Sequence, residues 1–315
     1  LPLHFAAFKN NADVIGEMLK KDKDHPVLVA DDERGIIKSP IVNTQDDQGL
    51  TALHFACQEQ HFENVKILLQ FGADAKIKKH VTEYTPFMEA VENHNLDIIS
   101  VILESDADVV NIPNVQGLTP LHWLAVSPPS DEKLKFEILE KLLAYGANVN
   151  AVDNVGRTPI IYAIRNRDLK LVKHFINAGA ELRFSNKEGT PIHYATKSGD
   201  IAIVRELKKH LGREDFLAKN KFGENPLLVS TNVEVIRFLI REMEIDPKDS
   251  LDAFGRGFCH TFARTGKGLS DEDITAIMGF FPDSIMDIRD NFGKTPLFLA
   301  VAENNANFVK CLLNK

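Results

Sequence analysis

The chain has 315 residues, of which 44% are hydrophobic and 26% are charged, and this composition excludes a disordered or fibrous protein. Its formal net charge of −8 argues against nucleic-acid binding, which requires clustered lysine and arginine. No apolar run approaches the ~18–20 residues needed to cross a bilayer, and three distant cysteines form neither a disulfide framework nor a paired metal site.

A seven-residue string recurs along the chain, first as LPLHFAA at residues 1–7. It returns eight times: TALHFAC at 51, TPFMEAV at 85, TPLHWLA at 119, TPIIYAI at 158, TPIHYAT at 190, NPLLVST at 225, GFCHTFA at 257 and TPLFLAV at 295. Most strings start 32 to 39 residues after the previous one, and the first interval of 50 holds an inserted loop at residues 21–45. Shorter insertions are predicted at 127–131 and 264–269. A constant period of this size indicates a repeat architecture.

Each string predicts the start of a helix. Threonine at its first position can accept a hydrogen bond from a free helical N–H, and proline at the next position loses no helical hydrogen bond. An apolar run such as residues 62–69 follows with the 3.6-residue period of a second helix. Gly72, Gly146 and Gly179 fit the left-handed position that ends this second helix.

A turn precedes most strings. Its pattern is Asp or Asn three residues before Gly, as in 46–49, 114–117, 153–156, 220–223, 252–255 and 290–293. This pattern suits a tight turn with positive φ at the glycine.

These motifs resemble the ankyrin repeat family over residues 1–315, apart from the insertions. The resemblance implies an all-α solenoid of about nine helix–turn–helix units with short β-hairpin fingers, forming a single domain. The seventh unit departs from the pattern because Asn232-Val-Glu follows the string directly, which shortens its first helix. The eighth unit lacks both Thr and Pro, and we expect it to be the least regular.

One unit of about 33 residues cannot bury a core alone, so each must be stabilised by its neighbours. Both terminal units are apolar like interior ones, with Leu1, Leu3 and Phe5 at one end and Val309, Leu312 and Leu313 at the other. We therefore expect the chain to be an ordered piece of a longer protein, monomeric as a fragment.

Five histidines occupy the fourth position of the string: His4, His54, His122, His193 and His260. Neighbouring units are expected to lie ~10 Å apart, too far for these rings to share one metal ion. The family resemblance gives this histidine a hydrogen-bonding role between the backbones of adjacent units. We favour that structural interpretation over metal binding.

No HExxH, GxSxG, phosphate-loop or paired-cysteine motif is present, so the sequence predicts no enzyme and no cofactor. Cys259 occupies an apolar position of the string, which favours a buried thiol over a nucleophile. The aromatic position after the histidine slot holds Phe5, Phe55, Trp123, Tyr162 and Tyr194. We expect these five side chains to be core rather than a ligand platform.

The turn tips change character along the chain. The residue before the turn glycine is Gln48, Gln116 or Val155 in early units, and Phe222, Phe254 or Phe292 in the last three. Neighbouring exposed aromatics are typical of a partner surface, and packing of finger against finger is the alternative.

The resemblance implies that partners contact the fingers and the exposed ends of the first helices. Carried over by position, the predicted partner-binding residues are Phe222, Phe254, Phe292, Gln58, Glu59, Glu92, Asn93, Arg157, Arg165, Asn166, Lys197, Arg256 and Arg264. The basic members lie in the later units, which predicts a concave face whose charge changes sign along its length.

The sequence therefore predicts a cytoplasmic scaffold that binds an extended segment or a folded domain of another protein through its concave face and fingers. It predicts no nucleic-acid partner and no membrane contact by this chain itself. Two alternatives remain open. The chain could be the cytosolic module of a membrane channel, or the targeting array of a larger enzyme such as a bacterial effector.

Overall fold

Helices begin where the sequence places Thr-Pro. The Thr85 hydroxyl accepts a hydrogen bond from the Met88 backbone N–H at 3.2 Å, and Pro86 is the first helical residue. Gly72, Gly146 and Gly179 have φ values of 83°, 82° and 89°, as predicted for residues that follow the second helix of a pair. Local chemistry thus fixes where the first helix of a pair begins and where the second helix ends.

The computed structural model describes residues 1–24, 28–31, 35–38 and 41–314. The described chain divides into two compact units, Leu1–Asn154 and Val155–Lys315, each with its own core. The single domain and the repeat boundaries read from the sequence stay predictions. The all-α fold of paired helices is confirmed.

Over its described residues the first unit contains four helix pairs, in which the first helix of each pair starts at a repeated string. Its helices are α1 (Pro2–Phe8), α2 (Ala12–Asp24), α3 (Ala52–Gln58), α4 (Phe62–Gln70), α5 (Pro86–Glu92), α6 (Leu96–Ser105), α7 (Pro120–Val126) and α8 (Glu132–Ala144). The helices α1, α3, α5 and α7 pack side by side as one layer, and α2, α4, α6 and α8 form the other. Each pair therefore buries its apolar side against its neighbours.

The second unit repeats this arrangement. Its helices are α9 (Pro159–Arg165), α10 (Leu169–Asn177), α11 (Pro191–Ser198), α12 (Ile201–Lys208), α13 (Arg213–Leu217), α14 (Val233–Arg241), α15 (Phe258–Thr265), α16 (Asp271–Met278), α17 (Pro296–Ala302) and α18 (Ala306–Leu313). First helices pack α9 on α11 and α15 on α17, while second helices pack in the order α10, α12, α14, α16, α18. Its core includes Phe175, Phe216, Phe238, Phe258, Phe262 and Phe308, all fully buried.

Part of the predicted insertion at 21–45 is structured. Helix α2 continues to Asp24, strands β1 (Leu28–Asp31) and β2 (Gly35–Lys38) pair antiparallel with Leu28 opposite Lys38, and a 3₁₀ turn covers Ile41–Asn43. The Ile41 backbone N–H donates to the Asp22 carboxylate at 3.1 Å. Residues 25–27, 32–34 and 39–40 of the predicted loop lie outside the described residues.

The two irregular units behave differently. In the seventh unit, residues 226–229 form a turn where other units have a first helix, which confirms the predicted shortening. In the eighth unit, α15 forms a full helix although Gly257 stands in the place of threonine. Arg264 and Thr265 belong to α15, so the loop predicted at 264–269 begins later than expected. This helix has no side-chain cap, but it buries Phe258 and Phe262, and burial of such side chains is stabilising.

The fingers are tight turns stabilised by their own Asp or Asn. In one of them the Asp46 carboxylate accepts hydrogen bonds from the Gln48 and Leu50 N–H groups, both at 2.9 Å. Backbone hydrogen bonds then join neighbouring fingers within each unit. The His80 N–H donates to the Gln48 carbonyl at 2.9 Å, and the Ala253 N–H donates to the Phe222 carbonyl at 3.0 Å. Each fingertip is therefore positioned by the next finger.

Replacing Gly223 by alanine should lower the free energy of unfolding by about 3 kcal/mol. Gly223 has a φ of +76°, and an added Cβ would collide with the backbone of Ala253 in the next finger. Strain at the residue and a steric clash between fingers therefore add together. Urea unfolding followed by far-UV circular dichroism measures the loss.

Gly293 provides the matched control. It has a similar φ of +74°, but nothing lies within 4 Å of an added Cβ. Gly293→Ala should cost only the backbone strain, about 1 kcal/mol. Equal losses for the two variants would contradict the close approach of neighbouring fingers.

Candidate functional site

Three phenylalanines at the finger ends of the second unit form what we call the fingertip patch: Phe222, Phe254 and Phe292. Their exposed fractions are 48%, 42% and 69%, although the core of this unit contains many fully buried phenylalanines. The rings of Phe254 and Phe292 are 6.1 Å apart, centroid to centroid, and tilted by 35°. Both predicted interpretations thus apply, because Phe254 and Phe292 touch each other and remain open to solvent.

Buried Asp and Asn side chains hold the backbone of the patch. The N–H groups of Phe222, Phe254 and Phe292 donate to Asn220, Asp252 and Asp290 at 2.9, 2.8 and 2.9 Å. These acceptors are 6–8% exposed. The patch is therefore preorganised, which reduces the entropy lost on binding.

Arg256 covers one side of the patch. Its guanidinium carbon lies 4.7 Å from the Phe254 ring centroid, and its Nε donates to the Asp252 carboxylate at 2.7 Å. The Asp252 side chain is fully buried, so this arginine is fixed and its charge is compensated. Arg256 therefore forms a rigid edge of the apolar surface, and its charge is already paired with Asp252.

A cleft lies beside Phe222. It is lined by Glu188, His193, Tyr194, Lys197, Asn220, Phe222, Glu224 and Val229. Arg157 pairs with Glu188 at 3.0 Å, Lys197 lies 3.7 Å from the same carboxylate, and Arg264 lies 3.8 Å from Glu224. Four of the predicted partner-binding residues, Phe222, Arg157, Lys197 and Arg264, are thus brought to one place.

The first unit has a second polar cluster, around α5. Lys79 pairs with the buried Glu89 at 2.5 Å, and its Nζ lies 5.0 Å from the Tyr84 ring centroid. The Tyr84 and Trp123 rings meet edge to face at 5.5 Å. Burial raises the pKa of Tyr84 to about 12, with Glu92 contributing.

The predicted residue Glu92 lies near this cluster. Burial, and then the charge of Glu89, raise the pKa of the Glu92 carboxyl above its ordinary value. The pair formed by Lys79 and Glu89 was not predicted from the sequence. The sequence feature that could have revealed this pair is the glutamate in TPFMEAV, at a position where five other strings carry an aromatic residue.

The remaining predicted residues do not converge. Asn93 is used in packing, since its side-chain amide donates to the Cys57 and Gln58 carbonyls at 3.3 and 3.2 Å. Glu59, Arg165 and Asn166 are exposed at the ends of first helices, with the Arg165 guanidinium 5.9 Å from the Tyr162 ring. Their role in binding stays a prediction.

The histidines of the string connect neighbouring repeats, as the structural interpretation predicted. The Nε2 atoms of His4, His54, His193 and His260 lie 2.9–3.1 Å from the carbonyls of Leu50, Tyr84, Glu224 and Lys294. In His54 the other ring nitrogen, Nδ1, accepts from the Thr51 N–H at 3.0 Å. A neutral ring with N–H on Nε2 satisfies both contacts.

The aromatic position after the histidine slot is only partly core. Tyr194 is 5% exposed, whereas Phe5 is 64% exposed, so the core prediction is wrong for Phe5. Phe55, Trp123 and Tyr162 are half-buried. Cys259 is 1% exposed, as predicted.

Among the described residues, no group of three or more His, Cys, Asp or Glu side chains could hold a metal ion. Within the same ranges, no helix is both long and apolar enough to span a membrane.

A protein-family model described as "Ankyrin repeats (3 copies)" matches residues 3–113, 87–186, 130–220 and 161–251. The human transient receptor potential cation channel subfamily A member 1 is 24% identical over 99% of this chain and 27% of its own length. The mouse B-cell lymphoma 3 protein homolog is 28% identical over 76% of this chain and 49% of its own length.

A solved structure has the same fold. The crystal structure of the ankyrin repeat domain of Bcl-3 superposes with a TM-score of 0.62 at 24% identity, covering 76% of this chain and 97% of that domain. The chain thus spans between about a quarter and a half of the length of the two relatives named above.

Proposed function

The chain belongs to the ankyrin repeat family, whose repeats are generally protein–protein interaction modules, and we propose that it is a recognition scaffold whose second unit binds a partner protein through the fingertip patch. The partner contacts the fingers and the exposed ends of the first helices, either as an extended segment or as a folded domain. We assign no catalytic step to this chain and place it in the cytoplasm or on the cytosolic side of a membrane.

The exposed fingertip patch supports this proposal most directly. Its three phenylalanines are 42–69% exposed although their backbones are held by buried Asp and Asn. Large aromatic side chains on a rigid backbone are the residues that dominate binding energy in interfaces, because they bury much area at a small entropic cost. The charged side chains around the cleft supply the polar surround.

The triple variant Phe222→Ser, Phe254→Ser, Phe292→Ser tests the proposal. We expect binding of partners captured from cells to weaken at least about thirtyfold, since the loss of even one anchor costs about 2 kcal/mol. The melting temperature should change little, because exposed side chains contribute little to stability. Affinity capture with quantitative mass spectrometry and a thermal melt measure the two quantities.

Phe62→Ser is the control, because Phe62 is 37% exposed but starts the second-layer helix α4. It should leave partner capture unchanged. Unchanged capture by the triple variant together with a clear fall in its melting temperature would show that the phenylalanines only pack against each other.

The match to the human channel over 99% of this chain favours a second candidate, that the chain is the ankyrin module of a channel. Sequencing the complete gene that encodes this chain would test whether the chain is part of a channel. Apolar segments of about 20 residues in its flanking sequence would support a channel, and their absence from the complete gene would exclude one.

A further inference from the structure

Two cations beside the fingertip patch are only loosely paired with carboxylates, at 3.7 and 3.8 Å. We call Lys197 and Arg264 the open cations; their side chains are 65% and 55% exposed. Lys197 lies 3.7 Å from Glu188, but that carboxylate is paired more closely with Arg157, at 3.0 Å. One carboxylate therefore serves two cations, and the charge of Lys197 is not fully compensated.

Arg264 is in a similar position. It lies 3.8 Å from Glu224, beyond hydrogen-bonding distance, so this pair is loose, although the neutral Asn220 amide at 3.0 Å leaves the Glu224 charge in place. Glu303 is also near Arg264, but its carboxylate pairs with Lys267 at 2.7 Å. By contrast, Arg256 is held at 2.7 Å by the buried Asp252. The open cations are thus available to a partner, whereas Arg256 is not.

The open cations and the fingertip patch form one continuous surface. Lys197 and Phe222 line the same cleft, and the Phe222 carbonyl accepts from the finger that carries Phe254. Phe254 in turn touches Phe292. An apolar strip is therefore bordered by a cluster of three cations, Arg157, Lys197 and Arg264, and two carboxylates, Glu188 and Glu224, which leaves one positive charge in excess.

We infer that this surface binds an acidic, extended segment of the partner protein, one that carries an aromatic or large aliphatic side chain. The apolar side chain lies against the fingertip patch, and Asp or Glu carboxylates pair with Lys197 and Arg264. This inference rests on the proposed function and adds the chemistry of the partner.

A single-stranded nucleic acid also combines anions with stacking groups, but the surface disfavours it. Glu188, Glu224 and Glu303 lie beside the cations and would repel a continuous phosphate backbone. Separate carboxylates on a peptide can avoid these three groups. An acidic peptide is therefore the better match.

Fluorescence anisotropy with labelled synthetic peptides tests the inference on the full chain. The probe is Ser-Glu-Phe-Ser-Glu-Leu-Ser-Gly, with two separated carboxylates; the comparison probes replace every Glu by Lys, or Phe and Leu by Ser, and a third is a single-stranded oligonucleotide. We expect only the first peptide to bind, and Lys197→Glu with Arg264→Glu to weaken it at least about tenfold. Lys208→Glu, an exposed charge change on the second-layer helix α12, should have no effect.

Three results would overturn the inference: no binding of the acidic aromatic peptide, equal binding of the lysine peptide, or tighter binding of the oligonucleotide. The proposed function is tested separately by the triple phenylalanine variant in cells. If that variant loses its partner while the acidic peptide fails to bind, recognition stands and only the acidic chemistry is wrong.

Discussion

Replacing Lys79 by methionine should lower the free energy of unfolding of the first unit by about 3 kcal/mol. The Glu89 side chain is only 6% exposed and has Lys79 as its ion-pair partner at 2.5 Å. Without Lys79 a buried carboxylate is left uncompensated, beside a second carboxylate at Glu92. Urea unfolding followed by the fluorescence of Trp123, the single tryptophan, measures the change.

The adjacent lysine gives a matched control. Lys78 pairs with Glu83 at 2.9 Å, but the two side chains are 34% and 44% exposed. Lys78→Met should cost no more than about 0.5 kcal/mol, as expected for exposed ion pairs. If the two lysine variants lost the same small amount, the buried pair would have no special role.

Lowering the pH should destabilise the first unit already above the pH range in which exposed Asp and Glu side chains become protonated. Burial lowers the pKa of His54 from 6.5 to about 4. At pH values between these two, the ring is neutral in the folded state, whereas the unfolded chain already binds a proton there. The unfolded state then binds more protons between pH 6.5 and pH 4, and stability falls as the pH falls through this range. A shift of this size corresponds to about 3 kcal/mol.

Three other histidines of the string contribute in the same direction. Burial lowers the pKa of His4, His193 and His260, each of which lies near a backbone carbonyl of the next repeat. Urea midpoints measured at a series of pH values should therefore decline below pH 6.5. The variant His54→Gln should show a shallower decline than the unmodified chain. A urea midpoint that stays constant down to pH 5 would contradict a neutral, buried His54.

The sequence predicted the features that depend on a single repeat. Thr85 and Pro86 begin a helix, Gly72 ends one, and Asp46 fixes a turn, because each of these effects involves only a few neighbouring residues. The histidine contacts could also be predicted, since a residue that recurs at one position of a stacked repeat meets the same backbone atom in each neighbour. The family resemblance supplied the prediction that this histidine forms hydrogen bonds between the backbones of adjacent units.

Features that depend on different side chains in neighbouring units were harder to predict. The aromatic position is buried at Tyr194 and exposed at Phe5, although the motif is the same. The pair of Lys79 and Glu89 joins a finger to a first helix ten residues later and follows no repeat rule. Likewise, spacing alone does not reveal that Arg256 is compensated by Asp252 while Lys197 and Arg264 remain open.

Site-specific photo-crosslinking tests the central claim, recognition through the fingertip patch, most directly. The crosslinking amino acid p-benzoylphenylalanine would replace Phe254, Phe292 or, as the control, Phe62, and crosslinked proteins from living cells would be identified by mass spectrometry. The account predicts that positions 254 and 292 capture the same partner and that position 62 does not. Capture of that partner from position 62, with none from 254 or 292, would contradict it.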